Sequence, residues 1–254
     1  MLPLQPGGNP YISCMTPPGK LIKTASNPGW GFSRWSWLNR PRRSWLPELV
    51  PIRSLEPGDV PQIGRHLTAL SPSDRYLRFG YAASDLQIKR YVDSLNFSRD
   101  EIFGVYNRRL ELIALSHLAF TVDPELTSCA EFGVSVLEQA RGRGYGGRLF
   151  DRAVKHARNQ GVSLLFVHAL SENTAMLKIA RAGGASIERD GSESEAYLKL
   201  PPADIDSHMT ELLEEQVAQT DYRLKVQAHQ FWSALSLMQE VRQGVRDSRD
   251  RMVR

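Results

Sequence analysis

Four glycines and three arginines crowd into ARGRGYGGRLF, residues 140–150. That mixture could bind an anion in three ways. An arginine–glycine segment binds nucleic acid when it lies in a disordered, low-complexity setting. Gly142-x-Gly144-x-x-Gly147 fits the G-x-G-x-x-G spacing of a dinucleotide fingerprint. Alternatively, glycines let consecutive backbone N–H groups point into one space at a helix start, where a diphosphate can sit.

The flanking elements separate these readings. AEFGVSVL (130–137) alternates, with Phe132, Val134 and Val136 on one face, so it predicts a strand. Residues 147–159 put Leu149, Phe150, Ala153, Val154 and Ala157 on one helical face. A stretch between a strand and an amphipathic helix is an ordered turn, which argues against the nucleic-acid reading. The dinucleotide reading needs glycines immediately after the strand and an acid at the end of the next one. Here Leu137–Arg141 intervene, and the next strand ends in His168-Ala169-Leu170. A P-loop would need Gly-Lys-Ser/Thr, which is absent. The diphosphate cradle fits best, with Arg141 and Arg143 adding charge beside it. A glycine turn chosen only for tightness is the remaining alternative.

The elements that must position this turn are legible on both sides. LVPIRSL predicts a short strand, and Asp59 a helix cap for about 60–70. A second helix start falls at Ser71–Asp74, and 85–95 has helical spacing. Strands are expected at 101–107, 110–120, 130–137 and 163–170, the last a nearly continuous apolar run, as for a strand covered on both faces. A short helix over 173–182 and a closing hairpin follow, and Pro201-Pro202 ends the domain. About 205–245 reads as one long helix in which Val217, Leu224, Phe231 and Met238 recur every seven residues, with Leu213, Ala228 and Leu235 between them and Thr220 as a polar break. That seam suits either a second helix, as in a homodimer, or the helix's own domain. The charged tail after Arg246 is expected to fray. Residues 1–48 are an irregular arm rich in Trp, Pro and Gly, read as rings docked on the domain or, less well, as an Arg/Trp surface for a partner or nucleic acid. The divisions are therefore 1–48, 49–202 and 203–254.

Bulk properties bound the rest. An apolar fraction of 41% is enough for a core, and a net charge of +4 suits an anionic ligand. Cys14 and Cys129 lie far apart, which points to a reducing, cytoplasmic setting rather than a disulfide framework. Neither a secretory signal nor a membrane-spanning run is read from the sequence. The six histidines form no H-E-x-x-H or comparable cluster, so no metal is expected.

With those elements in place, RGRGYG (141–146) is similar to the Q/R-x-x-G-x-G/A signature of the GCN5-related N-acetyltransferase (GNAT) family. AEFGVSVLEQARGRGYGGRLFDRAV resembles that family's fourth strand, turn and third helix. HALSENTAMLKIARAGGA resembles its fifth strand and fourth helix, with Asn173 at the family's asparagine. LSPSDRYLRFG is similar to a segment of bacterial protein-lysine acetyltransferases. The resemblance covers about 51–200.

It implies an α/β (α+β) domain with a central mixed, mainly antiparallel sheet and helices on both faces; the irregular arm and the long C-terminal helix lie outside the resemblance and extend that domain. It also implies acetyl-CoA as co-substrate. The diphosphate would sit on Arg141, Gly142, Arg143, Gly144, Tyr145, Gly146 and Gly147, and the pantetheine arm along Val134, Val136 and Leu137, with Asn173 nearby. A backbone N–H around Val134 would polarise the thioester carbonyl. Glu131, facing away from Phe132 with Gly133 and Ser135, is the candidate base for an amine acceptor, either a protein lysine or a small polyamine-like molecule. A surface ion pair is its bland alternative. The family's usual tyrosine acid is replaced by Ala180, and Gly184-Ala185 replaces a glycine–aromatic pair. Tyr145, His168 or Ser171 could substitute, or the thiolate could leave unaided. A second expectation follows from that gap: an acyl-CoA-sensing or interaction module with little catalysis.

Overall fold

A computed structural model of the chain describes residues 50–121 and 129–252, with side chains as far as Phe231. The tryptophan-rich arm and the seam positions Leu235 and Met238 therefore lie outside the described residues or side chains. The element order is β1 (Arg53–Ser54), α1 (Val60–Thr68), α2 (Pro72–Phe79), α3 (Asp85–Asp93), β2 (Glu101–Tyr106), β3 (Leu112–Phe120), β4 (Cys129–Val136), α4 (Tyr145–Asn159), β5 (Leu164–Leu170), α5 (Thr174–Ala182), β6 (Ser186–Asp190), β7 (Glu193–Lys199) and α6 (Ile205–Met252). The seven strands form one sheet in the order β1-β2-β3-β4-β5-β7-β6. Every neighbouring pair is antiparallel except β4 with β5.

Period-2 alternation on β4 divides the molecule into two layers. Phe132 points to one face, where its ring meets Phe150 of α4 edge-on at 5.1 Å. Ser135 points to the other, where its hydroxyl meets His66 of α1 at 2.8 Å. So α4 covers one face and α1 the opposite one. Phe103, Phe132, Phe150, Leu149 and Leu165 are each no more than 1% exposed. Burying a side chain of that size contributes roughly 1.5–3 kcal/mol.

The local signals hold at several ends. Ser71 and Ser84 cap α2 and α3 through their side chains, and Gly80, at φ 77°, closes α2 in the left-handed region. Asp59 sits at the N-cap of α1 but makes no cap hydrogen bond. Its carboxylate instead accepts from the Glu56 N–H, in a capping box on the preceding turn, and from Arg53 and the Tyr106 hydroxyl. The first strand is also shorter than expected, two residues only.

The long helix departs from expectation twice. It continues to Met252 rather than ending near 245. Its first half also docks through a face that the seven-residue pattern does not mark. Ala218, 1% exposed, packs inward, while Glu211 and Glu215 receive the Arg152 guanidinium at 2.7 and 3.2 Å. Tyr222 lies beneath Arg53, with its ring centroid at 4.4 Å. Burial opposes ionisation of Glu211, but hydrogen bonds from His156 and Asn159 and the Arg152 charge pull its pKa down to about 2. The seam residues Leu213, Val217, Leu224 and Phe231 stay exposed.

Candidate active site

The parallel ladder between β4 and β5 is short. It pairs Cys129, Ala130 and Glu131 with Leu164, Leu165 and Phe166 and then stops, although both strands run on. Beyond Glu131 they part, and a cleft of about 860 Å³ opens between them. That volume is in the range that small-molecule and cofactor sites occupy.

Backbone alternation decides which β4 groups face the opening. Cys129 C=O and Leu137 N–H bond toward the β3 side, to Thr121 N–H and Ile113 C=O. Residues of odd number therefore spend their backbone groups on β3, and Val134 and Val136 turn theirs toward the cleft. The Val136 carbonyl accepts a 3.3 Å bond from Arg141 Nε. Leu137, named with Val134 and Val136 from the sequence, has its N–H committed to Ile113 and does not line the cleft.

At one end of the cleft stands the glycine–arginine turn. Gly142 and Gly144 have φ of 75° and 78°, a region that other residues enter at a cost. Gly144 is the N-cap of α4, and no side chain caps the helix. The helix starts at Tyr145, two residues earlier than expected, so the N–H groups of Tyr145, Gly146 and Gly147 form its first turn. A helix start without a cap is a place for an anion. These residues, with Arg141, Gly142 and Gly144, line the cleft, whereas Arg143 is exposed and does not. Gly146 lies so close to α5 that a Cβ there would come within 2.9 Å of Ile179 Cδ1. The Arg141 guanidinium pairs with Asp74 of α2, bridging the turn to the opposite layer.

Toward the other end lies Glu131, on the same face as Gly133 and Ser135. Burial raises its pKa above the ordinary glutamate value, against the opposing charges of His168 and Arg78. β5 is not covered on both faces as expected. Leu165, Val167 and Ala169 are buried, but His168 opens onto the cleft, 3.6 Å from Glu195 of β7. Ala180, at the family's tyrosine position, is fully buried. Of the three substitutes, Tyr145 and His168 line the cleft. The Ser171 hydroxyl is held by Ser194 and the carbonyls of Gly191 and Glu193. Asn173 reaches the cleft while capping α5 through Met176 N–H and donating to Leu77 C=O, so it ties α5 to α2. Four lining residues have no signal in local sequence: Arg78, Tyr91, His117 and Glu193. Among the described residues no group of three or more His, Cys, Asp or Glu could hold a metal ion, and no helix is long and apolar enough to cross a membrane.

Residues 83–183, which span this cleft from α3 to α5, match the acetyltransferase (GNAT) family. Over 59% of this chain and 89% of that one, the fold is similar to the GNAT domain of S. lividans PAT, with 18% identity and a TM-score of 0.51. Two further solved structures are an acetyltransferase of the GNAT family from Streptococcus pneumoniae (11%, TM-score 0.49, 59% and 98% covered) and a spermidine N-acetyltransferase from Vibrio cholerae with CoA and spermine (18%, 0.47, 58% and 94%). The two findings agree: residues 83–183 match the acetyltransferase (GNAT) family, and the fold around them is that of a GNAT domain. Beside the cleft Ala180 is fully buried, and the 48-residue α6 docks on α4 through Glu211 and Glu215.

Proposed function

We propose that the chain transfers the acetyl group of acetyl-CoA to an amine, by direct attack within a ternary complex. The observation that carries this is the parting of β4 and β5 just beyond Glu131, between an uncapped helix start and a carboxyl of raised pKa. Acetyl-CoA supplies an acetyl group activated as a thioester. The first turn of α4 and the glycine turn would receive its diphosphate, with Arg141 exchanging or sharing its Asp74 contact. Val134 and Val136 would hold the pantetheine arm by main-chain hydrogen bonds, and the Val134 N–H would stabilise the oxyanion. Glu131 would take the proton of the acceptor ammonium, so that the amine lone pair is free to form the C–N bond. The departing thiolate would take its proton from solvent or from Tyr145. Glu193 and Glu195 on the rim favour a cationic acceptor, which suits a lysine side chain or a polyamine-like molecule. A cytoplasmic setting follows from the same reading.

Acetyl-CoA at a hundred-fold excess over its Kd should stabilise the protein by about 2.7 kcal/mol, visible as a rise in melting temperature. NAD and ATP should not produce it. No rise with acetyl-CoA would remove the proposal. A rise without transfer to any of a panel of amines and lysine peptides would favour the second reading, a catalytically weak acyl-CoA sensor, for which the buried Ala180 speaks.

We also propose that two copies of the chain pair through the exposed α6 seam, since docking on α4 uses a different face. Light scattering should give twice the chain mass for the intact protein, and the monomer mass for Leu224→Glu with Phe231→Glu. A monomeric intact protein would rule the pairing out.

A further inference from the structure

Behind Glu131, four side chains from α2, α3, β3 and the loop before β2 are joined in one line. Arg78 of α2 donates from Nη2 to the Tyr91 hydroxyl at 3.1 Å. Tyr91 of α3 lies 2.8 Å from His117 Nδ1, and His117 Nε2 on β3 lies 3.3 Å from Asp100 Oδ2.

The direction of each bond follows from its far end. Burial resists ionisation of Asp100, but Arg99, bonded to both its oxygens at 2.6 and 2.8 Å, and His117 pull its pKa down to about 2. The Phe120 N–H adds a third donor at 3.3 Å. Asp100 is therefore a carboxylate and can only accept. His117 Nε2 must then carry a proton. Burial lowers the pKa of His117, against the pull of Asp100, so its other nitrogen is bare and accepts the Tyr91 proton. With that proton committed, the Tyr91 oxygen accepts from Arg78. Every donor points toward Asp100, an arrangement in which successive bonds polarise one another.

The relay ends at a tightly placed cation. The Arg78 guanidinium lies against the backbone of β4: a Cβ on Gly133 would sit 2.8 Å from its Cζ. It also lies over the rings of Phe79 and Tyr91, at 5.3 and 5.7 Å. Its Nε is buried without a hydrogen-bond partner, a cost that calls for a compensating role. Gly133 and Glu131 share one face of β4, yet no ion pair joins Arg78 to Glu131. The charge is near the carboxyl without capping it, which leaves the carboxylate open to the cleft.

We propose that Asp100, His117 and Tyr91 are positioning residues that hold the Arg78 guanidinium against Gly133, where it favours the ionised form of Glu131. This rests on Glu131 being the base. The titratable and charged groups that line the same end of the chain's cleft from the packed elements are Arg78 and Tyr91 from the helices, His117 from β3, His168 from β5, and Glu193 and Glu195 from β7, of which Arg78, His168 and Tyr91 interact with Glu131. Arg78 and His168 favour the carboxylate, against its burial. Arg78 is the cation whose position the relay controls.

The test is a carboxyl 13C NMR titration of the intact, glutamate-labelled chain, with the Glu131 signal assigned by its loss in Glu131→Gln. In Arg78→Gln the Glu131 midpoint should rise by about one pH unit or more, the scale of losing a nearby opposite charge. Arg78→Lys should stay near wild type. Gly133→Ala should raise the midpoint because the new methyl displaces the guanidinium, and Tyr91→Phe should raise it by less. Unchanged midpoints in both Arg78→Gln and Gly133→Ala would overturn the proposal. A shift in those two with none in Tyr91→Phe would overturn the relay. Should Arg78→Gln fail to fold, Gly133→Ala and Tyr91→Phe decide alone. Turnover of Glu131→Gln is read separately: if it matches wild type while the midpoints move, the base assignment fails and the electrostatic coupling stands.

Discussion

Glu131→Gln should lose about 10²- to 10⁴-fold in kcat, the range a positioned general base contributes, while its Kd for acetyl-CoA stays within a few-fold of wild type. The substitution keeps size and hydrogen-bonding shape and removes only the ability to take a proton. Titration calorimetry for the coenzyme and a thiol-release assay with an amine acceptor separate the two quantities. The same variant should gain stability at high pH. Burial raises the Glu131 pKa in the folded chain, so below the unfolded value both states are protonated and the carboxyl costs nothing. As pH rises through the folded value, the carboxyl ionises in a site that disfavours charge, and the folded state loses ground. A glutamine never ionises. The melting temperatures of variant and wild type should coincide near pH 4 and separate in favour of the variant near pH 8. In wild type, kcat/KM should fall on the acid side at a pH above the ordinary carboxylate range, as the base becomes protonated. Turnover equal to wild type would remove Glu131 from the chemistry. Equal melting temperatures at pH 8 would show that its ionisation carries no folding cost.

Gly144→Val should weaken acetyl-CoA binding at least about ten-fold, which corresponds to about 1.4 kcal/mol. Gly144 has φ 78°, where a β-branched residue is a genuine outlier, and no neighbour blocks an added Cβ. The cost is therefore in the backbone. The turn must rotate toward negative φ, and the N–H groups of Tyr145, Gly146 and Gly147 then no longer converge. The left-handed conformation costs a side-chain-bearing residue roughly 1–2 kcal/mol, so the variant should fold and melt a few degrees lower. Arg143→Ala is the matched control. Arg143 lies in the same turn but outside the cleft, and its loss should change the Kd less than three-fold at moderate salt, where surface charge is screened. Comparable losses in both variants would mean that net charge, and not the turn's geometry, holds the coenzyme.

What local sequence could reveal divides along physical lines. Caps, periodicities and glycine positions are local, and they located α1, α3, β2, β3, β4 and the turn before α4 to within a few residues. The face of Glu131 followed from alternation alone. The relay did not, because Arg78, Tyr91 and His117 come from separate elements and Asp100 from the loop before β2, and they meet only when α2 and α3 fold over β3 and β4. The LSPSDRYLRFG stretch marked the segment but not the role of Arg78. Asp59 looked like a cap because its competitors, Arg53 and Tyr106, meet it through tertiary structure. Apolar periodicity on α6 pointed to the seam and overlooked the docked face, since that face is built from Glu211, Glu215, Gln219 and Tyr222, mostly polar residues. The cleft-facing backbone of Val134 and Val136 was legible only with the family resemblance, because no side chain encodes a strand that parts from its neighbour.

The most direct test of the account is a single-turnover measurement with enzyme in excess over acetyl-CoA, recording thiol release and acetylated product together as amines and lysine peptides are added. The account predicts that thiol appears with an equal amount of N-acetylated acceptor, that neither appears with Glu131→Gln on the same timescale, and that Gly144→Val regains the reaction only at higher coenzyme concentration. Thiol release at the same rate without any acceptor, or undiminished product with Glu131→Gln, would contradict it.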